Sequence, residues 1–290
     1  MSMSMLKGIH RRMLGIGVRD EVIARSGFVS GGEDRPAIVL PGNPDTVAYF
    51  DDFLGDLIAD EWAVVKSDTG ITGGAIANIT NGVFRLSGSE TQPATSEGAI
   101  ALTQGLFKQW KADMGGRKNG RLRMSARIKH SVVSAVAEAG RVHMFVGFSD
   151  TGGAEFPAYD TGAGVISPAA DMVGLLYSPS SASASTTWTG VAVKSTAGDS
   201  GDQQVIPSAV ATPVSNVYDA LEVEVRSGNS DSGGTAHFWV NGRKIGTINS
   251  PVGSGIALTP WIGAWVQDTG IATQLDIDYV AISSPRDTGE

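Results

Sequence analysis

The sequence has no cysteine, charged residues fill only 18% of its 290 positions, and no apolar run is long enough to span a bilayer. The missing thiols exclude a disulfide frame or a thiolate metal site and fit assembly in a reducing cytosol. The opening segment reads as no secretory signal, because Arg11, Arg12, Arg19 and Asp20 break every apolar stretch in it. A formal charge of -8 and a pI near 5.0 speak against a phosphate backbone as partner, so neither nucleic acid nor membrane is expected. Metal spacings are also missing. His10, His130, His143 and His237 are scattered with no HExxH, and no G-x-S-x-G elbow or phosphate-loop Lys-Ser/Thr occurs. No cofactor and no metal site are expected.

What is present is glycine, 38 residues of it, with Ser and Thr between short apolar runs, the texture of many strands joined by turns. "GRLRMSARIKH" sets Leu122, Met124, Ala126 and Ile128 against Arg121, Arg123, Ser125, Arg127 and Lys129. "ALEVEVRSG" sets Leu221, Val223 and Val225 against Glu222, Glu224 and Arg226. Such period-2 alternation predicts half-buried strands. "RVHMFVGFSD" places Val142, Met144, Val146 and Phe148 opposite His143, Phe145 and Gly147. "NGVFRLSG", "WIGAWVQD" and "QLDIDYVAIS" read as further strands, and Asn241-Gly242 predicts a two-residue hairpin turn. The expected fold is all-β, an antiparallel two-sheet jelly-roll sandwich, with a helical turn at residues 106–113 allowed but not required.

Residues 1–48 differ in texture from 49–284, with 285–290 as a tail. The first segment is basic, with Lys7, Arg11, Arg12, Arg19 and Arg25 against Asp20 and Glu21, whereas the remainder is acidic. Its apolar residues, among them Leu6, Ile9, Met13, Leu14, Ile16 and Phe28, have too little mass around them to be buried within the segment. It reads as an extended arm, either strapped over its own sandwich or reaching a neighbour.

"YFDDFLGD" with Trp62 after it, "NGVFRLSG", "MSARIKH", "FVGFSD", "LEVEVRSG", the "HFWVNG" hairpin and the closing "LDIDYVAIS" together resemble the concanavalin A-like jelly-roll domains of tailed-bacteriophage virion proteins. The resemblance spans about residues 49–284 and implies a structural role. That fold also serves lectins, glycosidases and capsid decoration proteins, so it does not select a function.

Asp-Thr-Gly occurs at Asp68, Asp150, Asp160, Asp268 and Asp287, but only "AYDTGA" approximates the apolar setting that forces two aspartates to share a proton. Asp before Gly otherwise punctuates turns. Glu222 with Glu224, and Asp276 with Asp278, could each supply a carboxyl pair for glycoside hydrolysis. The Glu-x-Asp-x-Glu triplet of sandwich glycosidases is absent, and both pairs read as solvated faces of amphipathic strands. Asp199 with Asp202, and Asn229 with Asp231, offer weak calcium loops. Trp188, Trp239, Trp261 and Trp265 could stack on sugars but read as packing residues.

The expectation is therefore a non-enzymatic virion protein: a capsid decoration (cement) protein on the outer capsid surface, present in the host cytoplasm during assembly. Its arm would bind the major capsid protein through Leu6, Ile9, Arg11, Arg12, Met13, Leu14, Ile16, Arg25 and Phe28, by burial of several tethered apolar anchors. Self-association as a trimer is the preferred oligomer. The leading alternative is a carbohydrate-binding lectin-like domain of a fibre or tail, followed by a sandwich glycosidase.

Overall fold

The computed structural model describes residues 28–29, 38–39, 46–51, 53, 62–66, 71–79, 82–90, 98–103, 110–111, 121–131, 142–150, 159–160, 165–166, 169–178, 187–194, 204–206, 212–226, 234–253, 256–266 and 272–285. Every regular element among them is a strand. In chain order these are β1 (Phe28–Val29), β2 (Ile38–Val39), β3 (Thr46–Asp51), β4 (Ala63–Lys66), β5 (Ile71–Ile79), β6 (Val83–Glu90) and β7 (Gly98–Thr103). They continue as β8 (Trp110–Lys111), β9 (Arg121–His130), β10 (Val142–Ser149), β11 (Tyr159–Asp160), β12 (Val165–Ile166) and β13 (Met172–Tyr177). The last are β14 (Thr189–Val193), β15 (Gln204–Ile206), β16 (Tyr218–Arg226), β17 (Thr235–Val240), β18 (Arg243–Asn249), β19 (Ala257–Val266) and β20 (Ala272–Pro285).

Two antiparallel sheets carry the fold, as the alternation predicts. The first runs β15-β14-β13-β10-β19-β7-β4 with β8 beside β19, and the second runs β18-β17-β16-β9-β20-β6-β5 with β3 beside β20. The apolar side chains expected on one face of β9 and β16 lie fully buried against Val142, Met144, Val146 and Phe148 of β10. One core therefore fills the space between the sheets, joined by Phe84, Leu86, Phe238, Leu275, Ile277 and Ile282. Some neighbours in each sheet are distant in sequence: β9 lies between β16 and β20, and β10 pairs with β19. The result is a jelly-roll sandwich.

Turns and caps follow the sequence. Asn241 and Gly242 take φ of 51° and 77°, the left-handed pair that a tight hairpin between β17 and β18 demands. The Asn241 amide also donates to Asp219, which accepts from the Trp188 indole, so the turn is fastened to a buried tryptophan. At the other end Asp51 accepts from Trp62, Tyr49 and the Phe53 backbone, fixing the chain as it leaves β3.

Some local expectations change. Trp110 and Lys111, inside the stretch allowed as a helical turn, form β8 against Ala257 and Leu258, because backbone pairing with β19 is available there. Leu6, Ile9, Arg11, Arg12, Met13, Leu14, Ile16 and Arg25 lie outside the described residues, as do Asp199, Asp202, Asn229 and Asp231. Phe28 lies in β1, which pairs with β2 in a short two-stranded unit. Asp160 ends β11, itself paired with β12, and Asp150 follows β10 with its N–H donating to the Asp171 carbonyl. Asp68, Asp268 and Asp287 lie outside the described residues.

Candidate functional site

The outward face of the second sheet gathers the charged groups. Register sets them in rows across β18, β17, β16 and β9. Lys244, Trp239, Glu222 and Ser125 form one row; Thr247, His237, Glu224 and Arg123 form the next; Asn249, Thr235, Arg226 and Arg121 form the third. Alternation within β17, β16 and β9, with a bulge in β18 between Lys244 and Gly246, puts all twelve on the same side, because Leu221, Val223, Val225, Ala236 and Phe238 point into the core.

This face corrects one expectation from the sequence. Glu222 and Glu224 are not solvated: their relative exposures are 3% and 0%. The cause is the partner strands, which place cations and an indole around them. Arg123 reaches both carboxyls, with Nε 2.9 Å from Glu222 Oε1 and one terminal nitrogen 2.8 Å from Glu224 Oε2. Arg226 Nε donates to Glu224 Oε1. Across the row, the Trp239 ring sits 6.0 Å from the Arg123 guanidinium and 6.0 Å from Lys244 Nζ.

The two glutamates differ in their bonding. Glu224 accepts a charge-assisted hydrogen bond from Arg226, while neither oxygen of Glu222 accepts one, since Arg123 Nε is close but poorly aligned. Burial, outweighing the attraction of Arg123, pushes the Glu222 carboxyl up to about 7, and the charge of Glu224 adds to the rise. Glu224 is buried too, but Arg123, Arg226 and Arg121 outweigh that burial and hold it below the usual carboxylate value. The pair is thus split into a proton holder and an anion.

His237 completes the row. Its Nδ1 lies 3.1 Å from Thr247 Oγ1 and its Nε2 3.2 Å from Thr235 Oγ1. Burial, then the charges of Lys244 and Arg226, lower it to about 4, so the ring is neutral near pH 7. His130 and His143 are each 1% exposed, and His143 Nδ1 is 2.7 Å from Ser178 Oγ. The structure brings none of the three histidines together with carboxylates as a metal group: no cluster of three candidate ligands occurs among the described residues.

The second acidic pair is also locked. Asp276 is 1% exposed, with Arg85 at 2.5 Å and 2.8 Å and Lys129 at 3.0 Å. Although burial opposes it, those bonds hold Asp276 below the usual carboxylate value. Asp278 sits at a register shift between Ile277 and Tyr279 and pairs with Arg127 at 2.6 Å. Both of its neighbours' charges are therefore committed, and this pair serves the sheet. Trp188 and Trp261 are fully buried, as a packing role requires, but Trp239 stands beside Glu222 with an unpartnered Nε1. Sequence reasoning found Glu222 and Glu224 yet missed Arg123, His237 and Trp239 as their neighbours.

No family model matches the sequence, and no curated protein matches it. Among solved structures, the fold is similar to an endo-1,3-β-glucanase from Streptomyces sioyaensis, with TM-score 0.54 and 14% identity over 84% of this chain and 98% of that one. It is also similar to a structure from work on endo-acting O-glycanases with which prominent members of the human gut microbiota initiate mucin breakdown, with TM-score 0.51 and 8% identity over 82% and 99% of the two chains. These likenesses show the fold. They also remove the ground for the expectation that the chain is no enzyme. That expectation took a sandwich without a distinctive carboxylate pair to be structural, whereas this sandwich is shared with glycan-cleaving proteins and carries a buried, electrostatically split pair.

Proposed function

We propose that the protein is a β-sandwich glycoside hydrolase that cleaves a polysaccharide with retention, Glu222 serving as acid and base and Glu224 as nucleophile. The observation that carries this reading is the split pair on β16: two carboxyls on one strand face, bridged by a single guanidinium, with Glu222 raised to about 7 and Glu224 lowered. Retaining hydrolysis requires carboxyls about 5 Å apart, one protonated and one ionised, and two contacts to one guanidinium hold them in that range. In the first step Glu222 gives its proton to the glycosidic oxygen while Glu224 bonds to the anomeric carbon and the leaving sugar departs. In the second, Glu222 takes a proton from water, the water oxygen bonds to the anomeric carbon, and Glu224 is released. Arg123 balances the negative charge as it passes between the two glutamates.

The fold shared with the Streptomyces endo-1,3-β-glucanase supports this reading. Capsid decoration, with the major capsid protein as partner and a trimeric shell position, draws no such support, and eight of the nine contact residues it invoked lie outside the described residues. The test is release of new reducing ends from a panel of polysaccharides, including laminarin, mucin O-glycans and a polyuronate, by the full chain. Activity on at least one, reduced about a hundredfold or more in Glu222→Gln, is the expected result. Binding without any cleavage across the panel would overturn the reading.

A further inference from the structure

Around the acid pair, cations outnumber carboxyls: Arg121, Arg123, Arg226 and Lys244 surround Glu222 and Glu224. Arg123 and Arg226 are committed to the glutamates. Arg121 and Lys244 are exposed and have no ion pair among the described residues. Arg121 stands directly opposite Arg226 across β9 and β16, a like-charge placement that costs stability unless an anion bridges it. Lys244 closes the other end of the site over the Trp239 ring, roughly 20 Å from Arg121, being three strand spacings of about 4.8 Å across and four residues of about 3.3 Å along the strands. Between them lie a neutral imidazole and a buried indole N–H with no acceptor. The chain as a whole carries a formal charge of -8, so this local excess of cations runs against its overall sign.

A neutral glycan would use none of these spare charges. An anionic glycan would meet one at each end of the acid pair. From this placement we infer that the site selects an anionic polysaccharide, one bearing uronate carboxylates or sulfate esters, with Arg121 and Lys244 as the residues that set the preference. The inference rests on the hydrolase reading of the same face and adds to it the class of substrate.

The experiment measures binding of the full chain to polygalacturonate, to a sulfated galactan and to neutral laminarin at low and high sodium chloride, for the wild type and for Arg121→Gln combined with Lys244→Gln. Both residues are exposed and Arg121 opposes Arg226, so the variant should keep a melting temperature at or slightly above that of the wild type. The expected result is about tenfold tighter binding to one of the anionic glycans than to laminarin, falling to near parity in the variant or at high salt. Tighter binding of the polyuronate assigns carboxylates, and of the galactan, sulfate esters; either supports the inference. Equal affinity for neutral and anionic chains, or a preference unchanged in the variant, overturns it while leaving hydrolysis intact. Absence of binding to all three overturns the inference, while cleavage across the polysaccharide panel decides the hydrolase reading separately.

Discussion

In the proposed mechanism Glu222 is the residue on which most of the chemistry turns, and its protonation gives two predictions. As general acid it must hold its proton, and Glu224 must have lost its own. The rate of cleavage at low substrate should therefore be highest between the lowered Glu224 and about pH 7, falling as Glu222 ionises. A pH profile of kcat/KM reads this, and a rate still rising at pH 9 would exclude Glu222 from the role. The same shift governs stability. Because folding raises the carboxyl from 4.5 to about 7, the native state binds the proton more tightly than the unfolded chain. Glu222 thus adds stability that is complete below about 4.5 and lost as pH climbs through 7. Glu222→Gln mimics the protonated form at every pH. It should leave the melting temperature unchanged at pH 4 and raise it at pH 8 by several degrees, corresponding to about 3 kcal/mol at most. Calorimetry at the two pH values tests this, and a lower melting temperature at pH 8 would show the ionised carboxylate to be stabilising. His237 has the opposite dependence. Its value falls to about 4, so its contribution is complete above 6.5 and lost as pH drops toward 4.

At the scale of elements, β10 and β13 show what holds the first sheet. Gly147 and Gly174 face each other across the two strands, and a Cβ on Gly174 would come within 2.4 Å of the Phe145 ring. The ring lies over the glycine pair and meets Trp261 edge-on at 5.9 Å, forming a second apolar cluster with Met172, Leu176, Val191 and Val193 outside the main core. Gly174→Ala should cost about 1 to 3 kcal/mol through this overpacking, seen as a melting temperature lower by several degrees with the strand spectrum retained. An unchanged melting temperature would mean that the Phe145 ring moves freely. The inward faces of β9, β10 and β16 were legible in the sequence, because period-2 alternation needs only local information. The second cluster was not, since "FVGF" and "VGLLY" are apolar on both faces and give no sign of what the outer side meets. Nor was the shift at Asp278, because a bulge depends on the partner strand. The acid pair itself was visible in "LEVEV", but its burial was not. Arg123 lies about a hundred residues away from Glu222 in sequence, and only the β9–β16 register brings them together.

For the whole molecule, the order of the strands was enough to identify a jelly-roll sandwich but not to select its role, because the fold is common to structural and glycan-cleaving proteins. Net charge was equally incomplete as a guide: a total of -8 conceals a sheet face where cations prevail. What distinguishes the roles is whether Glu224 forms a bond to sugar. That is most directly measured as the mass of intact Glu222→Gln after incubation with a dinitrophenyl glycoside of the oligosaccharide that the wild type releases. Such a leaving group departs without an acid, whereas the second step still needs a base, so the account predicts a covalent glycosyl adduct that accumulates on Glu224 and is missing from Glu222→Gln combined with Glu224→Gln. An unmodified mass, or an adduct that persists when Glu224 is replaced, would contradict it.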